Sequence, residues 1–350
     1  RSTLMRSSAA SDVYKRQDAL RVRATKNRSF TGRDWALEAK DAHAGEVEIF
    51  EDPSAKGGAF ANMYEGTDTS YGKITNGKLH AVIDSGSVIT FYHEDGRVLL
   101  KEPFRRLRDE ESMPLNIMGR EYSNGVGDNF RIVTRFVARK GEKIFGMGQY
   151  QQHELDLKGC MLELAQRNSQ VSVPFYLSSI GYGFLWNNPG VGQVMFANNG
   201  TEWVTESGKE IDYLVIAGDT PAEIEENYMT LTGKPPMMPE YGMGFWQCKL
   251  RYWNQEQLLS VARKYKELGV PLDVIVVDFF HWTKQGEFKF DPKYWPDVPG
   301  MCRELKEMGI QVVVSVWPTV DIYSENFEEM KEKGYLVRTE HGVPLTMLCG

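Results

Sequence analysis

The stretch Asp273 to Trp282, Asp-Val-Ile-Val-Val-Asp-Phe-Phe-His-Trp, constrains this chain more than any other. Its four consecutive β-branched residues, Val274 to Val277, leave no polar alternation. That predicts a strand buried on both faces, as in a parallel sheet covered by helices. Asp278 ends the run, and a carboxylate directly after such a strand sits at the carboxyl end of the sheet, where open α/β sheets and barrels alike bind ligands. Phe279, Phe280 and Trp282 follow at once. Two readings stand side by side. The carboxylate could accept from sugar hydroxyls while flat apolar rings pack on C–H groups, or Asp278 could cap the next turn with the aromatics as core.

At 350 residues the chain exceeds one ordinary domain, and two cores are expected. With 25% charged and 41% apolar residues the composition is globular, while 33 glycines and 12% aromatics suggest many turns and a carbohydrate surface. A net charge of −7 without a basic cluster argues against a nucleic-acid partner. Apolar runs all fall short of membrane-spanning length, so no bilayer crossing is expected. Cys160, Cys248, Cys302 and Cys349 are widely spaced and match no metal pattern, which predicts free, buried thiols. His43, His80, His93, His153, His281 and His341 are equally scattered. No metal site and no cofactor are expected.

Arg1 to Gln17 is rich in Ser, Arg and Ala without an apolar core, so it is not a secretory signal. Asp12 to Gln17 resembles the translated end of a sequencing adapter. Residues 1–17 are therefore expected to form an adapter-derived or disordered tail outside the fold, and the compartment, cytoplasmic or periplasmic, stays open. From Ala19 the chain is made of short extended pieces separated by turns. Gly72 to Ile83 carries an Asn76-Gly77 hairpin signal, and Ser87–Tyr92, Arg97–Leu100, Asn129–Ala138, Ser172–Ser178, Gly183–Asn187, Gln193–Phe196 and Glu210–Ala217 read as further strands. This spacing predicts an antiparallel β-sandwich over residues 18–234.

At Asp219-Thr-Pro-Ala-Glu-Ile the pattern turns helical, with Asp219 or Thr220 as cap, and Gly233 to Pro239 reads as a stiff connector and domain boundary. Over residues 235–350 the order is βαβα: a strand at Tyr241–Gln247, a helix capped by Asn254, the Val274–Val277 strand, and a helix near Pro299–Met308. A fully buried strand at Gln311–Trp317 and a helix capped by Ser324 complete it. Three helix ends share one spelling, Lys266-Glu-Leu-Gly269, Lys306-Glu-Met-Gly309 and Lys331-Glu-Lys-Gly334, each placing glycine where a left-handed cap is wanted. Such units close into a (β/α)8 barrel or an open sheet. Phosphate-binding GxGxxG and GxxxxGK[ST] motifs are absent, while Gln247, Arg251, Asp278 and Trp317 gather at the strand ends, which favours a barrel with only its first three βα units in the chain.

Glu142-Lys-Ile-Phe-Gly-Met-Gly-Gln149, Val173-Pro-Phe-Tyr-Leu-Ser178, Gly181-Tyr-Gly-Phe-Leu-Trp186, Gly242-Met-Gly-Phe-Trp246, Leu272 to Lys284, Phe290-Asp-Pro292 and Trp295-Pro-Asp297 together resemble glycoside hydrolase family 31 over nearly all of residues 19–350. Leu250-Arg-Tyr-Trp253 and Asp278 to Lys284 look most like bacterial α-xylosidases that trim α-1,6-xylosyl branches from xyloglucan oligosaccharides. The resemblance implies a galactose-mutarotase-like sandwich followed by a TIM barrel, and a retaining α-glycosidase with an oligosaccharide substrate. In the family, nucleophile and acid/base are aspartates on the fourth and sixth barrel strands. No catalytic residue is therefore assigned within this chain, which is expected to be the N-terminal portion of a longer enzyme and inactive alone, with an exposed sheet edge.

By the same position-matching, Asp278 falls where the family binds hydroxyls of the sugar in subsite −1. The resemblance also implies Arg251 at the pocket mouth, against a solvated loop arginine, Trp317 in its wall, against plain core, Trp282 and Lys284 at the rim, and Trp246 in the barrel interior. Phe279 and Phe280 place bulk where a C6 hydroxymethyl would project, a physical reason for xylose over glucose. Arg167 and Asn168 lie in a loop directed toward the +1 sugar, where Asn168 replaces the more usual acidic residue. An α-glucosidase and a noncatalytic carbohydrate-binding or scaffold protein are the alternatives. Homo-oligomerisation is left open.

Overall fold

A computed structural model describes residues 8–14, 18–38, 42–44, 47–51, 70–84, 87–103, 118–339 and 342–345 of the chain. Contacts divide it into two compact units, Arg1–Pro235 and Pro236–Gly350.

The first unit carries β1 (Ser8–Tyr14), β2 (Ala19–Thr25), β3 (Ala42–Ala44), β4 (Glu48–Glu51), β5 (Ser70–Asn76), β6 (Leu79–Ile83), β7 (Ile89–His93), β8 (Val98–Lys101) and β9 (Arg120–Asn124). It continues with β10 (Phe130–Val137), β11 (Ile144–Gln149), β12 (Met161–Leu164), β13 (Val171–Ser178), β14 (Tyr182–Trp186), β15 (Gly192–Phe196), β16 (Gly200–Gly208), β17 (Ile211–Ala217) and helix α1 (Pro221–Thr232). All strand pairs in it are antiparallel, arranged in sheets ordered β11-β13-β14-β17-β2-β1-β3, β12-β15-β16-β10-β9 and β4-β5-β6-β7-β8. This is the expected sandwich.

Strand alternation explains why β17 contains almost no polar residue. Ile211, Tyr213, Val215 and Ala217 face the main core with Phe136, Tyr176, Phe184, Trp186 and Trp203. Leu214 and Ile216 point the other way, onto Ile224 and Leu231 of α1. The strand is thus apolar on both faces although its sheet is antiparallel. Asp212, on the α1 side, is 2% exposed and is held by Arg21, whose Nε and Nη2 donate at 2.8 and 2.6 Å, and by Asn187 at 2.7 Å. A buried carboxylate survives there because every contact is a charged or amide donor. Thr220, of the two cap candidates, accepts from Glu223 N.

Several expectations are corrected. Residues 8–14 are not a tail outside the fold: they form β1, paired with β2 from Ser8↔Thr25 to Tyr14↔Ala19, and so satisfy backbone groups that β2 would otherwise leave open at a sheet edge. Residues 1–7 and 15–17 lie outside the described residues. The β5–β6 turn is Gly77-Lys78, one residue later than expected, because Asn76 pairs with Leu79. Lys78 N donates to Asp18 Oδ1 and Asn76 Nδ2 to Ala19 O, which fixes that register. Strand β11 was hidden by its glycines. Gly146 and Gly148 have φ of 112° and 88° across an irregularity in the pairing with β13, and a Cβ on Gly148 would lie 2.2 Å from Val171 O.

The second unit contains a 3-10 helix (Glu240–Met243), β18 (Trp246–Gln247), α2 (Gln255–Glu267), β19 (Val274–Val277), α3 (Val298–Glu307), β20 (Gln311–Val314) and α4 (Phe327–Glu332). The sheet is parallel, ordered β18-β19-β20. Ile275 and Val277 pack with Leu258, Leu259 and Ala262 of α2 and Met301 and Leu305 of α3, contacts that contribute about 1.5–3 kcal/mol per side chain. The expected strand from Tyr241 shrinks to two residues, because Gly244 lies against Asp273, whose Oδ2 accepts from Phe245 N at 3.0 Å. Strand β20 is not fully buried: Val312 and Val313 are half-buried and Val314 is 36% exposed, since β20 lies at an edge of the three-stranded sheet. Asn254 caps α2 as expected, whereas the hydroxyl of Ser324 accepts from Asn326 N in a turn ahead of α4.

The three glycine caps are identical in detail. Gly269, Gly309 and Gly334 have φ of 65°, 75° and 72°. In each, the glycine N–H donates to the carbonyl three residues back, and the next N–H to the carbonyl five back, as in Val270 N to Tyr265 O, Ile310 N to Leu305 O and Tyr335 N to Met330 O.

Glu102 gives the first unit a pH dependence. It is 2% exposed; Ile89 N donates to it at 3.0 Å and Arg120 Nε lies 3.1 Å away. Burial outweighs these partners and pushes its pKa from 4.5 up to about 7. Between those values the unfolded chain releases its proton first, so stability falls as pH rises from 4.5 to 7 and levels off above, by up to about 3 kcal/mol. Urea midpoints measured across this window are expected to decline for the native chain and to flatten for Glu102→Gln.

Candidate functional site

Asp278 is placed by strand alternation. Ile275 and Val277 face the helices, so Val276 and, one step beyond Val277, Asp278 belong to the opposite face. The parallel register pairs Gln247 with Ile275, and accordingly Gln247 is turned to the helix side, bonded to Tyr252 and Tyr265. Cys248, next along, returns to the face of Asp278. Its thiol donates to Asp278 Oδ2 at 3.5 Å, while Asp278 Oδ1 accepts from Phe279 N at 2.7 Å. The capping reading is therefore seen directly, because one oxygen braces the turn, while the other meets only a weak thiol donor on the non-helical face.

Around it the aromatic residues gather. Trp317, two residues past Ser315 whose N–H still donates to Val277 O, stacks on Phe279 with centroids 5.3 Å apart and planes 6° from parallel. Phe280 lies 4.6 Å from Phe279 and 6.5 Å from Trp317. Its φ is 59°, a left-handed conformation that costs a non-glycine residue about 1–2 kcal/mol and turns its ring outward, 50% exposed. Arg251 is clamped between rings, its Cζ 3.6 Å from the Trp253 centroid and 5.3 Å from that of Phe280. No carboxylate partner of Arg251 occurs among the described residues, so its N–H edges stay available.

The structure thus brings Asp278, Phe279, Phe280, Trp317 and Arg251 together. Trp282 differs from the rim position expected of it: it is 7% exposed, packed 6.0 Å from Phe280 and 6.5 Å from Trp317. Lys284 is also outside the cluster, because its ammonium donates to Tyr323 O at 3.0 Å. Trp246 pairs with Val274 and so shares the non-helical face, where it is 44% exposed with its ring N–H on Gly242 O. Arg167 and Asn168 belong to the first unit. There, Arg167 donates to Glu163 at 2.6 Å, and Asn168 sits in the turn between the bridged residues Arg167 and Gln170.

Sequence reasoning missed Cys248 and His281. Cys160, Cys248 and Cys302 are free, but Cys248 and Cys302 are exposed rather than buried; Cys349 lies outside the described residues. Only a period-two count from Gln247 would have revealed Cys248. His281 is 3% exposed, its Nδ1 3.0 Å from Asp278 O and its carbonyl accepting from Asp291 N at 2.7 Å, so it pins the turn that carries the aromatics. Burial lowers its pKa. Among the described residues no group of three His, Cys, Asp or Glu side chains could hold a metal, and no helix is long and apolar enough to cross a membrane.

Residues 12–194 match the glycosyl hydrolase 31 N-terminal galactose mutarotase-like domain and residues 235–347 the glycosyl hydrolases family 31 TIM-barrel domain. Two successive domains of one enzyme class, in the order in which the sandwich and the βα units occur, define a glycoside hydrolase architecture. The chain belongs to glycoside hydrolase family 31. It is 43% identical over 342 residues to an uncharacterized family 31 glucosidase of Pseudescherichia vulneris, covering 95% of this chain and 61% of that protein. An α-xylosidase of Saccharolobus solfataricus is 36% identical over 59% of this chain and 30% of its own length. The crystal structure of a family 31 α-xylosidase from a soil metagenome, complexed with xylose, superposes with a TM-score of 0.85 at 44% identity, over 99% of this chain and 50% of that one. The chain thus spans 61% of the Pseudescherichia vulneris protein and 50% of the soil-metagenome enzyme.

Burial, and next the Asp278 carboxylate, raise the thiol pKa of Cys248. Asp278→Asn removes the negative charge, increases the thiolate fraction and is expected to accelerate alkylation of Cys248 by iodoacetamide at pH 8, followed by peptide mass spectrometry. An unchanged rate would contradict the contact between the two side chains.

Proposed function

We propose that this chain is the sugar-recognising portion of a retaining α-glycosidase that removes terminal α-xylosyl residues from xyloglucan-type oligosaccharides. The observation that carries this is the carboxylate of Asp278 at the end of β19, beside the stacked Phe279–Trp317 pair and the clamped Arg251. Asp278 Oδ2 accepts from ring hydroxyls, Arg251 donates to them, and Trp317 and Phe280 cover the apolar C–H face. Phe279 and Phe280 fill the space a C6 hydroxymethyl group would need. Asp278 binds and does not attack: retaining chemistry requires two carboxyl groups about 5–5.5 Å apart, one as nucleophile and one as acid then base. In this reading both come from barrel strands that follow β20 in the whole enzyme. The α-xylosidases among the relatives support the pentose assignment, while the glucosidase name of the Pseudescherichia vulneris relative favours α-glucoside hydrolysis as the second reading.

Two measurements separate these possibilities. The purified chain is expected to show no turnover of an aryl α-xyloside above host background; turnover that follows the chain through purification would refute the assignment of the carboxyl pair. In the whole enzyme, Phe279→Ala with Phe280→Ala is expected to shift kcat/KM from xyloside toward glucoside by about tenfold or more, since a hydrophobic pocket discriminates a group of this size by about 1–3 kcal/mol. A native enzyme that already prefers glucosides establishes the second reading.

A further inference from the structure

The loops at one end of the sandwich form a cleft of about 710 Å³ that shares no residue with the site above. It is built from the segment after β2, the β9–β10 turn, the β14–β15 connection and the β16–β17 turn. Cross-links hold these loops in place. Asn187, 2% exposed, accepts from Ala36 N at 3.2 Å and donates to Asp212. Glu210, 6% exposed, accepts from Thr31 N at 3.0 Å and Thr31 Oγ1 at 2.9 Å. Asn27 donates to the Asp128 carbonyl at 3.1 Å, and Lys209 pairs with Asp128 at 2.6 Å. The shape is therefore present before any ligand arrives.

These same bonds leave the charges of the cleft unequal. Both of its carboxylates, Asp128 and Glu210, are engaged. Arg28 and Arg33, also in its lining, have no carboxylate partner among the described residues; Arg33 lies 5.4 Å from the ring of Trp35, itself 49% exposed. Two available guanidinium forks thus line one cleft of a chain whose net charge is −7, with an open indole and the hydroxyls of Ser29 and Ser207 beside them. Guanidinium groups match carboxylates bidentately, and an exposed indole offers a flat apolar face to a sugar ring. A bare anion would leave most of this volume empty, whereas molecules of two or three sugar rings match the about 300–1,000 Å³ typical of small-molecule sites.

We propose that this cleft binds a short acidic saccharide, an oligosaccharide bearing a uronic acid, with the unpaired guanidinium groups of Arg28 and Arg33 taking the carboxylate and Trp35 packing on a ring. This goes beyond the hydrolytic assignment and does not depend on it, because the cleft lies wholly within the first unit.

Calorimetric titration of the 350-residue chain tests it, with xylotriose substituted by glucuronic acid, neutral xylotriose and sodium sulfate as ligands. The acidic oligosaccharide is expected to bind at least about tenfold tighter than the neutral one, and raising salt from about 20 to about 300 mM should weaken it. Arg28→Ala with Arg33→Ala should remove the preference, and Trp35→Ala should weaken both sugars. All three side chains are exposed, so an unchanged thermal midpoint is expected to confirm that the variants fold. Equal affinity for the two sugars, no binding of either, or indifference to the double arginine variant overturns the proposal. Sulfate that binds as tightly as the acidic sugar, and displaces it, marks a bare anion site and overturns it as well.

Discussion

A strand apolar on both faces can reach water only at its ends, and this constraint organises the second unit. Ile275 and Val277 are held by α2 and α3, and the opposite face carries Val274 and Val276, so the first residue free to be polar is Asp278. Everything else at the site follows from the step across β18, β19 and β20. Register brings Cys248 to the carboxylate, and the outgoing chain of β20 delivers Trp317 onto Phe279. Geometry here is inherited from backbone pairing, which is stiffer than any loop.

The first unit solves a related problem by different means. Its central strands are covered by aromatic rings on one side and by α1 on the other, yet Arg21, Asp212 and Asn187 lie among the apolar side chains of the α1 side. A bidentate pair so deeply placed adds little net stability, because desolvation offsets the attraction, but it penalises any arrangement that separates its members. It fixes the segment after β2 through Asp34, which Arg21 also contacts at 2.7 Å.

Much of this architecture was legible in the residues. Periodicity located most strands, and the repeated Lys-Glu-x-Gly spelling anticipated three helix ends to the residue, because a left-handed position leaves few choices besides glycine. The failures have physical causes. Strand β11 escaped because Gly146 and Gly148 serve a bulge rather than propensity, and β16 because its apolar side chains, Trp203 and Val204, are adjacent rather than alternating. The strand at Ser8–Tyr14 was dismissed on composition, although pairing needs only backbone groups. At the site, residues adjacent in the chain were readable, whereas Cys248 depended on cross-strand register and the burial of Trp282 on how the turn folds back. Lys284 shows the limit of matching by position, since a flexible ammonium goes to the nearest free carbonyl.

The three glycine-terminated helices carry one more consequence. Of these, α2 and α3 end beside the amino-terminal edge of the sheet, where the chain enters β19 and β20, while Asp278 and the rings occupy the carboxyl-terminal edge. The glycine caps and the Asp278 cluster thus occupy opposite rims. Substitutions among the rings leave the turns that end the helices untouched, so a scaffold of this kind can be recut at one rim while its stop signals at the other are kept.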